Sequence, residues 1–179
     1  MKKTKLRQYN DATDKLNFDY KYNPAETPAL KKAAKRNASV DIDLLRRIAL
    51  WKLDRVLNVP GGTVQKLQAL AADGDLRVDS AETQSLIAEL MECEGIGLPM
   101  ASTILTFLRP DVFPIIDVRA YRALYGKKRY FSQSKDQKNI ELYLAYAADV
   151  RGISQKLNRP LRDIDEQLYE FDKQHNGKI

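Results

Sequence analysis

The sequence of 179 residues predicts one domain of the all-α fold class. Apolar residues recur with the 3.6-residue period of a helix along most of the chain, and only seven prolines and eight glycines interrupt it. No apolar run approaches the roughly 20 residues of a membrane span, so we expect no membrane partner. The basic N-terminus lacks the apolar stretch of a secretory signal. We therefore expect a cytoplasmic protein, associated with the nucleoid if it is bacterial.

Local start and stop signals predict four helices before the middle of the chain. Residues 24–37, rich in Ala and Lys, form the first helix, and Ser39 is a candidate N-cap for the second. The second helix stops before the Val-Pro-Gly-Gly of residues 59–62. Thr63 begins a third helix that ends near residues 73–74. Asp79 and Glu82 fit a capping pair for a fourth helix, which runs to Glu94.

The sequence of the second half of the chain predicts four more helices. One reaches about Leu108 and is followed by a loop over residues 109–116. A short helix runs from Val118 to Leu124, and Gly126 provides its C-terminal stop. Two long helices, over residues 138–157 and 161–175, are separated by Asn-Arg-Pro.

One stretch near the N-terminus follows a different period. Apolar and aromatic residues alternate with polar ones at Leu16, Phe18, Tyr20 and Tyr22, as in a half-buried strand. No partner strand is evident, so we interpret this stretch as an extended arm lying on helices. The alternative is that the tyrosines, interleaved with lysines, stack on nucleic-acid bases.

The stretch 93–102, CEGIGLPMAS, interrupts one helical pattern and restarts another. Gly95 and Gly97 can adopt positive φ and leave no side chain between the backbone and a ligand. Pro99 suits the first turn of the new helix. The pattern predicts two helices joined by a hairpin whose N–H groups, including that of Ile96, could bind a phosphate. An ordinary tight connection between helices is the alternative.

The charge balance favours a polyanionic partner without requiring one. Thirty Lys and Arg residues against 24 Asp and Glu give a net charge of +6. The positive charge is concentrated at Lys31-Lys32, Arg46-Arg47 and Lys127-Lys128-Arg129. Nothing in the sequence specifies an oligomeric state.

Residues 90–117 read LMECEGIGLPMASTILTFLRPDVFPIID. This order of hairpin, small-residue helix, Pro-containing loop and aspartate resembles the signature of the helix-hairpin-helix Gly/Pro…Asp (HhH-GPD) base-excision DNA glycosylases. Gly95 and Gly97 match the hairpin, and Asp117 matches the aspartate. The resemblance covers about 35 residues directly. It implies double-stranded DNA as the partner.

The resemblance also implies an all-α, two-lobed fold. Residues 1–38 and 127–179 would form lobe one, and residues 39–126 would form lobe two, with the hairpin at 86–108. Bifunctional members of the family carry a catalytic lysine where Pro99 stands here, so a monofunctional enzyme is expected. Asp-Val-Arg-Ala at 117–120 and Trp51-Lys52 resemble a subgroup that lacks both this lysine and an iron–sulfur cluster.

Asp117 is the candidate catalytic residue of this resemblance. A carboxylate near the sugar would stabilise the positive charge that develops as the base leaves, and could activate water. Trp51, Tyr121 and Tyr20 are candidates to line the base pocket. Asp117 is equally a good N-cap for the next helix, so a non-catalytic DNA-binding protein with the same motif is the alternative.

No cofactor or metal is expected. The single cysteine, Cys93, excludes an internal disulfide and any four-cysteine zinc or iron–sulfur site. The hairpin could hold a monovalent cation.

Overall fold

A computed structural model describes residues 13, 23–34, 40–131 and 137–179. These residues form eight helices and no strand, which confirms the predicted all-α class. The helices are α1 (Glu26–Ala33), α2 (Ile42–Lys52), α3 (Gly61–Ala72), α4 (Ala81–Glu92), α5 (Leu98–Leu108), α6 (Val118–Tyr125), α7 (Gln137–Leu157) and α8 (Leu161–His175). None of the described helices is both long enough and apolar enough to cross a membrane.

The chain divides into two compact units, Met1–Val56 and Leu57–Ile179. In the first unit, α1 packs against α2, where the indole Nε1 of Trp51 donates to Thr27 Oγ1 at 2.8 Å. The predicted lobes, 1–38 with 127–179 and 39–126, stay a prediction. Most of residues 1–38, including the alternating stretch at 16–22, lie outside the described residues.

The second unit contains α3 to α8 around one hydrophobic core. Helix α8 packs against both α6 and α7, and α4 packs against α5. The fully buried side chains at the centre come from α4, α5, α7 and the loop before α6: Ile87, Leu90, Leu105, Phe113, Ile116, Tyr143, Tyr146 and Val150. A loop therefore contributes to the core as fully as the helices do.

Several helix ends are where the sequence predicts them. Helix α8 spans the predicted residues 161–175, and α7 begins one residue before the predicted 138. Gly126 closes α6 with a left-handed φ of 65°. One predicted cap is wrong, because Ser80 rather than Asp79 accepts the Thr83 N–H at 3.2 Å to cap α4. Helix α2 is capped by Asp41, which accepts from the Leu44 N–H; Ser39 lies outside the described residues.

Candidate functional site

The connection between α4 and α5 is a tight turn at the residues where the sequence predicts a hairpin. The Ile96 N–H donates to the Cys93 carbonyl at 3.1 Å, which closes a tight turn. Gly95 has a φ of 81°, a conformation that favours glycine. Gly97 instead has an extended backbone, with φ −92° and ψ 176°. Only the first glycine is therefore required by backbone conformation.

The second glycine forms the N-terminus of α5. Gly97 is the N-cap and has no side chain to cap the helix, and Pro99 lies in the first turn. The first intrahelical bond runs from the Ala101 N–H to the Gly97 carbonyl at 2.9 Å. The N–H groups of Leu98 and Met100 therefore have no intrahelical acceptor. Such N–H groups, at the positive end of the helix dipole, are the arrangement that favours an anion.

Ser102 connects this hairpin to the segment before Asp117. Its hydroxyl donates to the Pro99 carbonyl at 2.9 Å and accepts the Ile116 N–H at 3.2 Å. Ser102 is buried, so a larger side chain would displace the loop. The structure therefore brings the predicted hairpin and the predicted aspartate together through one small residue of α5.

Residues 112–117, which we call the aspartate segment, are held by side chains of α7. Tyr143 donates its hydroxyl to the Pro114 carbonyl at 3.0 Å, and Tyr146 donates to the Ile115 carbonyl at 2.9 Å. Arg151 donates to the Val112 carbonyl at 2.8 Å. Burial raises the pKa of both tyrosines well above the usual range, so their hydroxyls stay protonated and remain donors.

The N–H groups of the aspartate segment are also bonded. The N–H groups of Val112 and Phe113 both donate to the Arg109 carbonyl at 3.1 Å, and that of Ile115 donates to Asp165 Oδ2 at 3.0 Å. Ile116 uses Ser102, as described above. A non-helical segment that is largely buried needs partners for its backbone polar groups, and here the Arg109 carbonyl and side chains of α5, α7 and α8 are those partners.

Asp117 lies at the end of this segment and begins α6. Its Oδ1 accepts the Ala120 N–H at 2.7 Å, which makes it the N-cap. The side chain is half-buried and lines an open cavity of about 440 Å³. The other residues of the cavity are mostly polar or charged: Ile115, Arg162, Asp165, Glu166, Gln167, Tyr169 and Glu170. The carboxylate therefore caps a helix and lines a cavity at the same time.

Asp165 is a second carboxyl group in this cavity. It is only 4% exposed, and its Oδ2 accepts from Arg162 at 2.8 Å as well as from Ile115. Burial raises the pKa of Asp165 to about 6, although the Ile115 N–H and the Arg162 guanidinium oppose the shift; the charge of Asp117 adds to it. Two carboxyl groups therefore line the same cavity: Asp117 is half-buried and caps a helix, whereas Asp165 is buried and paired with Arg162.

The aromatic residues predicted for the base pocket lie in different places. Trp51 belongs to the first unit, and Tyr20 lies outside the described residues. Tyr121, one turn after Asp117, packs against Tyr125 with ring centroids 4.6 Å apart and against Phe131 at 5.8 Å. Of the described residues that line the cavity, the aromatic one is Tyr169 of α8 rather than Tyr121.

Arg122 and Arg119 of α6 bind a buried aspartate. Arg122 forms two hydrogen bonds to Asp172 of α8, at 2.6 and 2.7 Å, and Arg119 adds a third at 3.1 Å. The Arg122 guanidinium holds the pKa of Asp172 down at about 2, further helped by Asn176 and Arg119. These contacts fix α6 against α8, so Arg122, 6% exposed, has a structural role.

The basic run Lys127-Lys128-Arg129 follows α6 directly. All three residues are exposed, and the exposed Tyr130 follows them. Within residues 40–131 and 137–179, no ion pair involves this run, whereas Lys66, Arg77, Arg109, Arg159 and Arg162 are each paired with a carboxylate. Because α6 has eight residues, a helix about 12 Å long separates Asp117 at its N-terminus from this run after its C-terminus.

Sequence reasoning missed Asp165 and the tyrosines that hold the aspartate segment. The available signal was an acidic residue within the apolar stripe of α8, between Leu161, Ile164 and Leu168. Charged residues on a buried face are rare unless they are paired.

Metal and cofactor predictions stay predictions. In the described residues, no group of three or more His, Cys, Asp or Glu side chains is arranged to hold a metal ion. A monovalent cation at the hairpin would have to be bound by backbone carbonyl groups.

The chain was compared with known proteins by family, by sequence and by structure. No family model, curated protein or solved structure matches it.

Proposed function

We propose that the protein binds double-stranded DNA through the α4–α5 hairpin and hydrolyses the N-glycosidic bond of a damaged or mispaired base, with Asp117 as the catalytic carboxylate. The enzyme would be monofunctional, because Pro99 occupies the position of the lysine nucleophile of related bifunctional enzymes. The proposal extends the resemblance to HhH-GPD glycosylases.

Two features support DNA as the partner. The hairpin presents N–H groups that lack intrahelical acceptors, and these suit one phosphate of a backbone. The exposed run 127–129 supplies positive charge without acidic partners among the described residues. Backbone N–H groups would fix the register, and the lysines and arginine would contribute salt-dependent affinity.

The observation that carries the catalytic proposal is the double placement of Asp117. Its Oδ1 is bonded to the Ala120 N–H, and the same half-buried carboxylate lines a cavity of about 440 Å³. A carboxylate in such a position can stabilise a cationic sugar and orient water. Side chains of α5, α7 and α8 hold the aspartate segment, and this segment in turn holds Asp117 in place. Little reorganisation of the protein would therefore be needed during the reaction.

The decisive experiment compares Asp117→Asn with Asp117→Ala. Asparagine is nearly isosteric and caps helices as well as aspartate does, so the Asn variant should melt near the wild-type temperature and bind DNA. Single-turnover excision on a panel of damaged and mismatched duplexes should fall by about 10²-fold or more, because the negative charge is lost. The Ala variant should in addition lose about 1 kcal/mol of stability with the cap.

A matched variant tests the hairpin separately. Gly97 has backbone angles that valine can adopt, so Gly97→Val should fold and still crowd the adjacent N–H groups. We expect weaker duplex binding in fluorescence anisotropy, independent of DNA sequence. Excision at the wild-type rate by Asp117→Asn would refute the catalytic role, and unchanged affinity of a folded Gly97→Val would refute the hairpin contact.

A second candidate function is a non-catalytic DNA-binding protein with the same motif. The acidic character of the cavity favours it, since Asp165, Glu166 and Glu170 accompany Asp117 there and would repel a phosphate backbone. In that case, wild-type protein would bind duplex DNA with the same dependence on Gly97 and would excise no base from the panel.

A further inference from the structure

Asp165 is the residue that joins the cavity to the backbone before Asp117. It lines the cavity together with Asp117, and its Oδ2 accepts the Ile115 N–H at 3.0 Å. Ile115 and Asp165 are 50 residues apart in the chain. This contact therefore exists only when α8 is packed against the aspartate segment.

The bond fixes a peptide close to the candidate catalytic group. Ile115 lies two positions before Asp117, and the next N–H, that of Ile116, is held by Ser102. The Ile115 carbonyl accepts from Tyr146 at 2.9 Å. The peptides on both sides of Ile115 are thus held by side chains, and the direction in which the chain enters α6 depends on them.

We propose that Asp165 is a positioning residue for Asp117: by accepting the Ile115 N–H it fixes the backbone that sets the Asp117 carboxylate on the cavity wall. The effect on rate that follows rests on the proposed glycosylase function. The effect on the geometry of Asp117 does not, and it can be measured without any activity.

The positioning role requires an acceptor oxygen at this position and does not require a charge. A neutral group suffices to accept a buried N–H, as Ser102 does for Ile116. Asp165 instead places a charge in an acidic environment. Arg162 and Glu166 of α8, Asp117 of α6, and Tyr143 and Tyr146 of α7 are the charged and titratable groups that surround it among the described residues. Within this described set, Arg162 is the cation in direct contact.

The first test measures backbone amides by nuclear magnetic resonance. The Ala120 N–H reports the Asp117 cap, and the Ile115 N–H reports the contact with Asp165. In Asp165→Ala, hydrogen exchange at both amides should become faster by about 10-fold, since a bonded acceptor is removed. Asp165→Asn retains an acceptor oxygen and should restore protection to within about 3-fold of wild type.

Leu168→Ala is the matched control. Leu168 lies on the same helix and packs against the core, but it lines a different cavity, with Ile153 and Phe171. The control loses apolar packing and keeps every bond to the aspartate segment. After correction for the lower global stability of this variant, the protection of its Ala120 amide against hydrogen exchange should therefore equal that of the wild type. Equal changes at Ala120 in Asp165→Ala and Leu168→Ala would overturn the proposal.

A second measurement needs no destabilised variant. In wild-type protein, the Ile115 amide proton should shift with pH with a midpoint near 6, where Asp165 ionises, and the shift should be absent in Asp165→Asn. An Ile115 amide proton that shows no titration removed by Asp165→Asn between about pH 2 and pH 8 would overturn the contact on which the proposal stands.

Measuring base excision then distinguishes a failure of the positioning role of Asp165 from a failure of the proposed glycosylase function. If the wild type excises a base, Asp165→Ala should lower the single-turnover rate by about 10- to 100-fold with unchanged duplex affinity, and Asp165→Asn should recover most of it. An unchanged rate in Asp165→Ala would overturn the positioning role. If the wild type excises nothing, the glycosylase function fails, while the amide measurements still decide whether Asp165 positions Asp117.

Discussion

Replacing Asp165 by asparagine should stabilise the protein at neutral pH and leave it unchanged, or slightly less stable, near pH 4. The reason is that burial raises the pKa of this carboxyl to about 6, from 3.8 in an unperturbed aspartate. Between pH 4 and 6 the folded protein holds a proton here that the unfolded chain has released. The free energy of unfolding therefore falls as pH rises through this window.

The size of the effect follows from the shift. About two pKa units at 1.36 kcal/mol each give roughly 3 kcal/mol as the upper limit of the cost of ionising Asp165 in the folded state. Asparagine keeps an acceptor for Ile115 but loses the charge that attracts Arg162, whose side chain is 32% exposed. We therefore expect a net gain of about 1 to 3 kcal/mol at pH 7.

Urea unfolding of wild type and Asp165→Asn at half-unit intervals from pH 4 to pH 8 measures the difference. Asp172→Asn is a control of opposite sign, because the pKa of Asp172 is lowered to about 2 and its charge stabilises the fold above pH 4. Removing that charge takes the carboxylate away from Arg122, which keeps the Gly177 and Lys178 carbonyl groups as acceptors, and should lower the stability more at pH 7 than at pH 4. A stability difference between wild type and Asp165→Asn that stays constant across this pH range would refute the reasoning.

Two further predictions concern DNA. The affinity for duplex DNA should fall as the salt concentration rises. Changing Lys127, Lys128 and Arg129 to alanine should make the plot of log affinity against log salt concentration less steep, by about 0.9 for each phosphate group that the run no longer neutralises. Arg77→Ala, which removes an arginine already paired with Asp79, should leave the slope near its wild-type value. Because Pro99 has no amine, borohydride should trap no covalent adduct with DNA containing an excised site; a trapped adduct would show that another amine acts as the nucleophile.

The sequence predicts the local parts of the site better than its contacts. Gly126 and Asp117 mark the two ends of α6 correctly, because caps depend on residues within one turn. Even local signals compete where cap residues are adjacent: Asp79 pairs with Arg77, and Ser80 takes the cap. Such a competition is decided by side-chain geometry that the sequence alone does not specify.

The contacts that hold the aspartate segment could not be predicted in this way. Tyr143 and Tyr146 bond to carbonyl groups about 30 residues earlier in the chain, and Asp165 bonds to an N–H 50 residues earlier. In the sequence, the tyrosines resemble ordinary core aromatics of a long helix, and the apolar stripe around Asp165 indicates that this residue is buried without indicating its partner. Their partners are backbone atoms, which carry no sequence signature of their own.

If the protein binds DNA as proposed, the way the aspartate segment is held determines which of the two molecules must deform. Its backbone cannot move without breaking bonds to α5, α7 and α8 together, so the wall that carries Asp117 behaves as a fixed template. A duplex that delivers a base to Asp117 would have to supply the unstacking and bending itself, at a cost of a few kcal/mol. Base pairs already weakened by damage or mismatch would reach the cavity most readily. Discrimination between DNA sites would then come from the flexibility of the duplex rather than from rearrangement of the protein.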